Sequence, residues 1–174
     1  MLSTTTLDTP LGPLTLVAGA RGLRGILFPG EPGPAGADAV TNPGAGVLAD
    51  AATQLCEYFD GRRRMFGLAL DIAGTPFQRR VWSTLAAEVP YGSTTTYGAL
   101  ARRLGAGPAM ARAVGAANGR TPVPIVIPCH RVIGAGGALT GYRGGLDRKR
   151  ALLDLEAGDG PHPLIAHTVS GVPT

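Results

Sequence analysis

The spacing of apolar and polar positions changes character near residue 75 and divides the chain there. Residues Leu2 to Phe28 carry Thr-rich and Val/Leu/Ile-rich runs broken at Asp8-Thr9-Pro10 and Gly19-Ala20-Arg21-Gly22, which predicts three short antiparallel strands. Pro29 to Gly46 is dominated by Gly, Pro and Ala, has no spacing that would bury a face, and predicts a loose loop. Apolar residues then recur at Val47, Leu48, Ala51, Ala52, Leu55 and Phe59, the spacing of an amphipathic helix that covers one face of the small sheet. Cys56 within it reads as filler. Met65 to Ile72 predicts a further strand.

The second part opens with Thr75-Pro76-Phe77-Gln78, an N-cap, a proline at the first helical position and a capping-box glutamine, ahead of an apolar stripe of Phe77, Val81, Trp82 and Leu85. Pro90-Tyr91-Gly92 turns the chain. Thr96 can cap a short helix through Leu104, which Gly105 ends, and a second helix is expected from about Ala109 to Asn118. Two short helices with a tight glycine-containing connection make a helix-turn-helix outline. The second of them holds one charge, Arg112, in a field of small side chains. Such a helix either packs closely or lets its backbone approach a nucleic-acid groove with one long side chain standing out. Asp147 is expected to cap a last helix with Ala151, Leu152 and Leu155 inward, and the tail after Ala157 to be loosely ordered. The expected fold is therefore α+β: a small antiparallel-sheet lobe with one helix over residues 1–74, a mainly helical lobe with a helix-turn-helix over 75–157, and a tail over 158–174.

Between the helical segments lies Ile125-Val126-Ile127-Pro128-Cys129-His130-Arg131-Val132-Ile133, with apolar flanks holding a cysteine, a histidine and an arginine. Pro128 removes a backbone donor and fixes φ, which places Cys129 at the start of a turn. A buried thiol is either inert or a reagent, and His130 supplies a group whose charge responds near neutral pH. Neighbouring residues on an extended chain face opposite ways, so His130 reaches the sulfur only through a turn or a water.

Composition narrows the setting. At 174 residues with a formal charge of +4 and pI near 9.6, the chain leans towards an anionic partner. Arg62-Arg63-Arg64 reads as a solvated rim, and the single lysine, Lys149, reflects coding bias more than function. Two distant cysteines and no amino-terminal apolar stretch argue against a disulfide scaffold and for a reducing, cytoplasmic setting. No run is long enough to span a membrane.

Taken together, Tyr97, Ala-Arg-Ala-Val-Gly at 111 to 115, Pro-Cys-His-Arg-Val at 128 to 132, Gly-Tyr at 141 and 142 and the helix ending in Glu156 resemble the O6-alkylguanine-DNA alkyltransferases, closely from Phe77 to Glu156 and loosely before. The resemblance implies direct repair of O6-alkylguanine, and of O4-alkylthymine, by irreversible transfer of the alkyl group to Cys129, one base per protein. It makes His130 the base acting through a bridging water, and Glu156 the group that holds the imidazole in the useful tautomer. It gives Arg112, flanked by Ala113, the place of the flipped nucleotide from the minor groove, and Tyr97 the tasks of assisting extrusion and giving a proton to the departing guanine. Tyr142 walls the base pocket, and backbone groups around Val132 read the guanine edge. The implied partner is double-stranded DNA carrying alkylated bases; the free protein is expected as a monomer, with clustering along DNA open. No cofactor is implied, and with two cysteines, one of them Cys129, no zinc set is expected.

Three positions depart from the family pattern. Thr121 stands where an asparagine ties the recognition helix to the reactive turn, so that link is expected to be weakened or taken over by Asn118. The stretch from Tyr97 to Arg112 is one residue longer, at Gly105-Ala106-Gly107-Pro108. Arg143 replaces a small residue and is expected to contact phosphate or narrow the pocket mouth. Two other functions fit the bare residues: a cysteine hydrolase using Cys129 and His130, and a DNA-binding protein that recognises damage without removing it.

Overall fold

The computed structural model describes residues 2–35, 38–39 and 46–158, and these fall into two compact units that part between Ile72 and Ala73. In the first, β1 (Ser3–Leu7), β2 (Leu14–Gly19) and β3 (Gly22–Leu27) form an antiparallel meander, with Thr5 opposite Leu16 and Leu16 opposite Ile26. A two-residue β4 (Asp38–Ala39) pairs in parallel with β1, inside the stretch expected as loop. Helix α1 (Val47–Phe59) has the expected bounds and buries Leu48, Ala51, Ala52, Leu55, Tyr58 and Phe59. Their partners in the core are Leu7, Leu14, Leu16, Leu23 and Ile26. Apolar burial of this kind on both layers is what holds so small a sheet together.

Residues 65–72 do not form the expected strand. They make a single bridge, Leu70 to Leu23, fastened by Leu23 N to Ala69 O (2.8 Å) and Asp71 N to Leu23 O (2.9 Å). Met65 is 81% exposed, so the segment lacks a buried face to set a register. It is held instead by Phe66 against Tyr58 and by the Gln54 amide on Gly67.

In the second unit α2 (Pro76–Glu88) begins with the expected capping box: Thr75 Oγ1 accepts from Gln78 N and Gln78 Oε1 from Thr75 N. Val81, Trp82 and Leu85 are buried, while Phe77 is half-buried. Thr96 caps α3 (Tyr97–Arg103) through Ala99 N, and Gly105, at φ +71°, turns the chain away. A 3-10 turn at Pro108–Met110 leads into α4 (Ala111–Gly119), which therefore starts two residues later than expected. The indole of Trp82 donates to Ala117 O (2.9 Å) and locks α2 to α4. Strand β5 (Thr95–Thr96) pairs in parallel with β6 (Val132–Ile133).

The last helix, α5 (Leu146–Ala157), corrects two expectations. Its N-cap is Gly145 at φ +88°, and Asp147 lies inside the first turn, since a left-handed cap position favours glycine over aspartate. Its buried residues are Lys149, Leu152 and Glu156, with Ala151 exposed and Leu155 half-buried. The inward stripe has helical spacing but is largely charged, so a search for apolar periodicity cannot find it. Among the described residues no helix is long and apolar enough to cross a membrane. The expected tail lies, from residue 159 onward, outside the described residues.

Candidate active site

The reactive turn is built by its own sequence. Ile125, with φ +76° and buried, is the sole non-glycine in the left-handed region among the described residues. A β-branched residue there is strained and is held by burial of its side chain. Three residues on, Pro128 caps a 3-10 turn over Cys129–Arg131. Cys129, His130 and Arg131 are all buried.

His130 is 0% exposed, and its Nε2 lies 2.7 Å from Glu156 Oε1. Arg131 sends Nε to Glu156 Oε2 (2.8 Å), Nη2 to Oε1 (2.9 Å) and Nη1 to Val89 O (2.6 Å). Gly92 N, in the turn closed by Ser93 N on Pro90 O (3.2 Å), donates to Glu156 Oε2 (3.2 Å). Burial alone would raise the Glu156 carboxyl, but the bonds and charges of His130 and Arg131 outweigh it and hold the pKa at about 2. Burial lowers that of His130, against the pull of Glu156. The imidazole is thus neutral near pH 7 and the carboxylate charged. An ionised carboxylate only accepts, so Nε2 carries the ring proton and Nδ1 keeps its lone pair. Nδ1 is buried with no protein partner among the described residues.

Burial raises the Cys129 thiol, partly offset by the Thr121 hydroxyl, the Arg143 guanidinium and the Tyr142 hydroxyl. Tyr142, itself pushed well above the usual phenol range by burial and by the sulfur, stays a donor. Thr121 also faces the sulfur. Its hydroxyl also donates to Asn118 O at 2.7 Å. At neutral pH the resting form is therefore SH, and chemistry at sulfur needs a base.

Helix α4 is tied to this turn by Asn118, whose Nδ2 donates to Cys129 O (3.2 Å). Replacing Asn118 by alanine is expected to cost the second unit about 1–2 kcal/mol, read as a lower urea midpoint; an unchanged midpoint would show that the tie carries no weight. On the same helix Arg112 is exposed, with Ala116 and Gly119 exposed beside it and Ala113 half-buried. Six residues of helix put it about 9 Å from Asn118 along the axis. Tyr97, at the start of α3, lies with its ring against Gly115, where an added Cβ would meet it at 3.5 Å. Its hydroxyl accepts from Thr140 Oγ1 (3.3 Å). Arg143 Nη1 donates to Thr121 O (3.0 Å), which brings the guanidinium to the Cys129 side of the loop. Val132 has both backbone groups engaged, its N–H donating to Cys129 O and its C=O accepting from Lys149 Nζ (2.6 Å).

Two members of the site were given no role from sequence. Arg131 stands inside the motif, but its part depends on Glu156 being 25 residues away in sequence and 2.8 Å away in space. Lys149 left one signal, being the single lysine among 16 basic residues. A compact ammonium can be satisfied by two carbonyls where an arginine fork cannot. Among the described residues no three His, Cys, Asp or Glu side chains converge as metal ligands.

Residues 76–158 match the model of the 6-O-methylguanine DNA methyltransferase DNA-binding domain, and residues 2–72 that of the same family's ribonuclease-like domain. A Mycobacterium bovis protein named methylated-DNA--protein-cysteine methyltransferase is 46% identical over 165 residues, covering 94% of this chain and 98% of its own. A Methanosarcina acetivorans protein of the same name is 43% identical, covering 86% of this chain and 94% of its own. Among solved structures, Mycobacterium tuberculosis OGT in complex with DNA superposes with a TM-score of 0.83 at 45% identity, covering 92% of this chain and 96% of that one.

Proposed function

The chain belongs to the 6-O-methylguanine DNA methyltransferase family, and from that membership we propose how its own residues carry out the repair. The protein is a methylated-DNA–protein-cysteine methyltransferase that takes alkyl groups from DNA irreversibly onto itself. In our reading the acceptor is Cys129, and its substrates are O6-alkylguanine and O4-alkylthymine in double-stranded DNA. His130 Nδ1 takes the thiol proton through one bridging water, and Glu156 fixes the tautomer that makes this possible. Arg131 neutralises the carboxylate so that the cluster is tolerable inside the protein. The thiolate displaces the base at the alkyl carbon; the product is a thioether with no hydrolysis route, so the protein is spent after one event. One observation carries this reading: the buried 2.7 Å bond to Glu156 on α5 from His130, which stands in the same turn as the sulfur.

DNA is engaged by the second unit, where residues 73–158 hold 11 Lys and Arg against 4 Asp and Glu, while residues 1–72 hold 5 against 7. Such an excess attracts phosphate, with affinity that falls as salt rises. The target atom is inside the duplex, so the nucleotide must be flipped out. Arg112 takes its place from the minor groove, which the small exposed residues of α4 let the helix approach. Tyr97 assists extrusion and protonates the departing guanine, and Tyr142 walls the pocket. Arg143, held on Thr121 O, narrows the mouth. The free protein acts as a monomer in the cytoplasm, where the thiol stays reduced.

The test is an intact-mass measurement after incubation with excess duplex containing O6-methylguanine, followed by peptide mapping. One methyl per chain, on Cys129 and no further turnover, is expected. Continued release of demethylated DNA would indicate a hydrolase, and binding without mass change a damage sensor; either overturns the reading.

A further inference from the structure

We infer that Thr140, braced by Lys149, is a positioning residue for Tyr97: its hydroxyl stabilises the phenolate that Tyr97 becomes when it protonates the departing guanine. The inference rests on the role given to Tyr97 above.

Thr140 belongs to the stretch between β6 and α5, which contains Gly134, Gly136, Gly137, Gly141, Gly144 and Gly145. A segment so rich in glycine does not hold a side chain in place by itself. Lys149 supplies the missing constraint. It is 0% exposed, and its Nζ donates to Val132 O (2.6 Å) and Thr140 O (2.8 Å). Burying an ammonium is costly, and an aliphatic side chain would fill the same space without that cost. The ammonium adds a clamp that pins Thr140 to β6, immediately after the reactive turn. From that fixed point the Thr140 hydroxyl donates to the Tyr97 phenolic oxygen at 3.3 Å. Because Thr140 donates, Tyr97's own proton is directed away from Thr140 and is free for the base.

During transfer the sulfur–carbon bond forms as the carbon–oxygen bond to guanine breaks, and the electron pair leaves with the guanine. Tyr97 gives that guanine its proton and is left as a phenolate, while the thiol's original proton rests on His130, so the charges balance. Solvent reprotonates Tyr97 once the base has departed. A hydrogen bond to an ionised oxygen is roughly twice as strong as one to a neutral oxygen. The Thr140 contact therefore strengthens only as the phenolate develops, which lowers the barrier and not the ground state. Contacts of this kind are long in the free protein and tighten in the reacting complex.

The test is a double-mutant cycle in single-turnover transfer from O6-methylguanine duplex, at saturating protein. Thr140→Val, which removes the donor at nearly constant shape, is expected to slow transfer about tenfold. Thr140→Ser should restore the rate, and Thr140→Val should add nothing in a Tyr97→Phe background. Alkylation of Cys129 by iodoacetamide, which needs no proton for its leaving group, should be unchanged in Thr140→Val. If Tyr97→Phe is slow but Thr140→Val is not, or if Thr140→Val slows both backgrounds equally, the brace is wrong and the role of Tyr97 stands. If Tyr97→Phe transfers at the parent rate, the role of Tyr97 fails and the brace falls with it.

Discussion

Glu156→Gln is expected to destabilise the second unit by about 3 kcal/mol and to slow alkyl transfer about a hundredfold. The carboxylate accepts from His130, from two nitrogens of Arg131 and from Gly92 N, and its side chain is 1% exposed. Glutamine keeps the shape, but one of its two ends is a donor that must face Arg131 or His130. If it faces Arg131, a buried guanidinium loses its counter-charge. If it faces His130, the ring is driven to the tautomer with Nδ1 protonated, which cannot take the thiol proton.

The pH dependence separates this charge effect from a packing effect. Glu156 has a folded pKa of about 2 against an ordinary 4.5, and a shift of that size corresponds to about 3 kcal/mol. The folded value is the lower, so the unfolded chain binds the proton first. The contribution is complete above pH 4.5 and is lost as pH falls through 2. His130 acts with the same sign and earlier, since burial lowers its pKa below 6.5 and unfolding lets it charge. Urea unfolding of the parent should thus weaken below pH 6.5 and steepen between 4.5 and 2. Glu156→Gln should lose the steeper part; parallel curves for the two proteins across that window would refute the assignment.

The second large effect is expected at Arg112. Arg112→Ala should slow transfer from duplex DNA about a hundredfold, because flipping costs a few kcal/mol and the side chain that fills the gap is gone. Reaction of Cys129 with the free base O6-methylguanine, which needs no flipping, should be unaffected. The contrast is possible because Arg112 is exposed on α4 while Asn118 ties that helix to the reactive turn. Equal losses on duplex and free base would mean that the substitution disturbs the thiol, and no loss on duplex would remove Arg112 from the flipping step.

Much of this fold was legible residue by residue. The bounds of α1, the Thr75/Gln78 capping box and the Thr96 cap depend on partners within four residues, so local sequence decides them. The turn at Cys129 follows from Pro128 for the same reason. The structure departs from the local pattern where a distant partner decides. Residues 65–72 look like a strand but share only one bridge with Leu23. Ala151 was expected inward on α5, yet the buried positions belong to Lys149 and Glu156. Charged residues are rarely buried unless paired, and nothing near them in the chain supplies the pairing.

The sequence by itself determined the reagents: a cysteine set in a turn, a histidine beside it, and a lone arginine on a helix of small residues. Only the tertiary structure decided what state those reagents are in. Gly92, His130, Arg131 and Glu156 meet across separations of up to 64 residues. That meeting places an ionised carboxylate against a neutral imidazole and an ammonium beneath the Thr140 loop. Such arrangements depend on charge brought together out of water, where a few ångströms of approach set the protonation state, and one-dimensional spacing does not encode that distance.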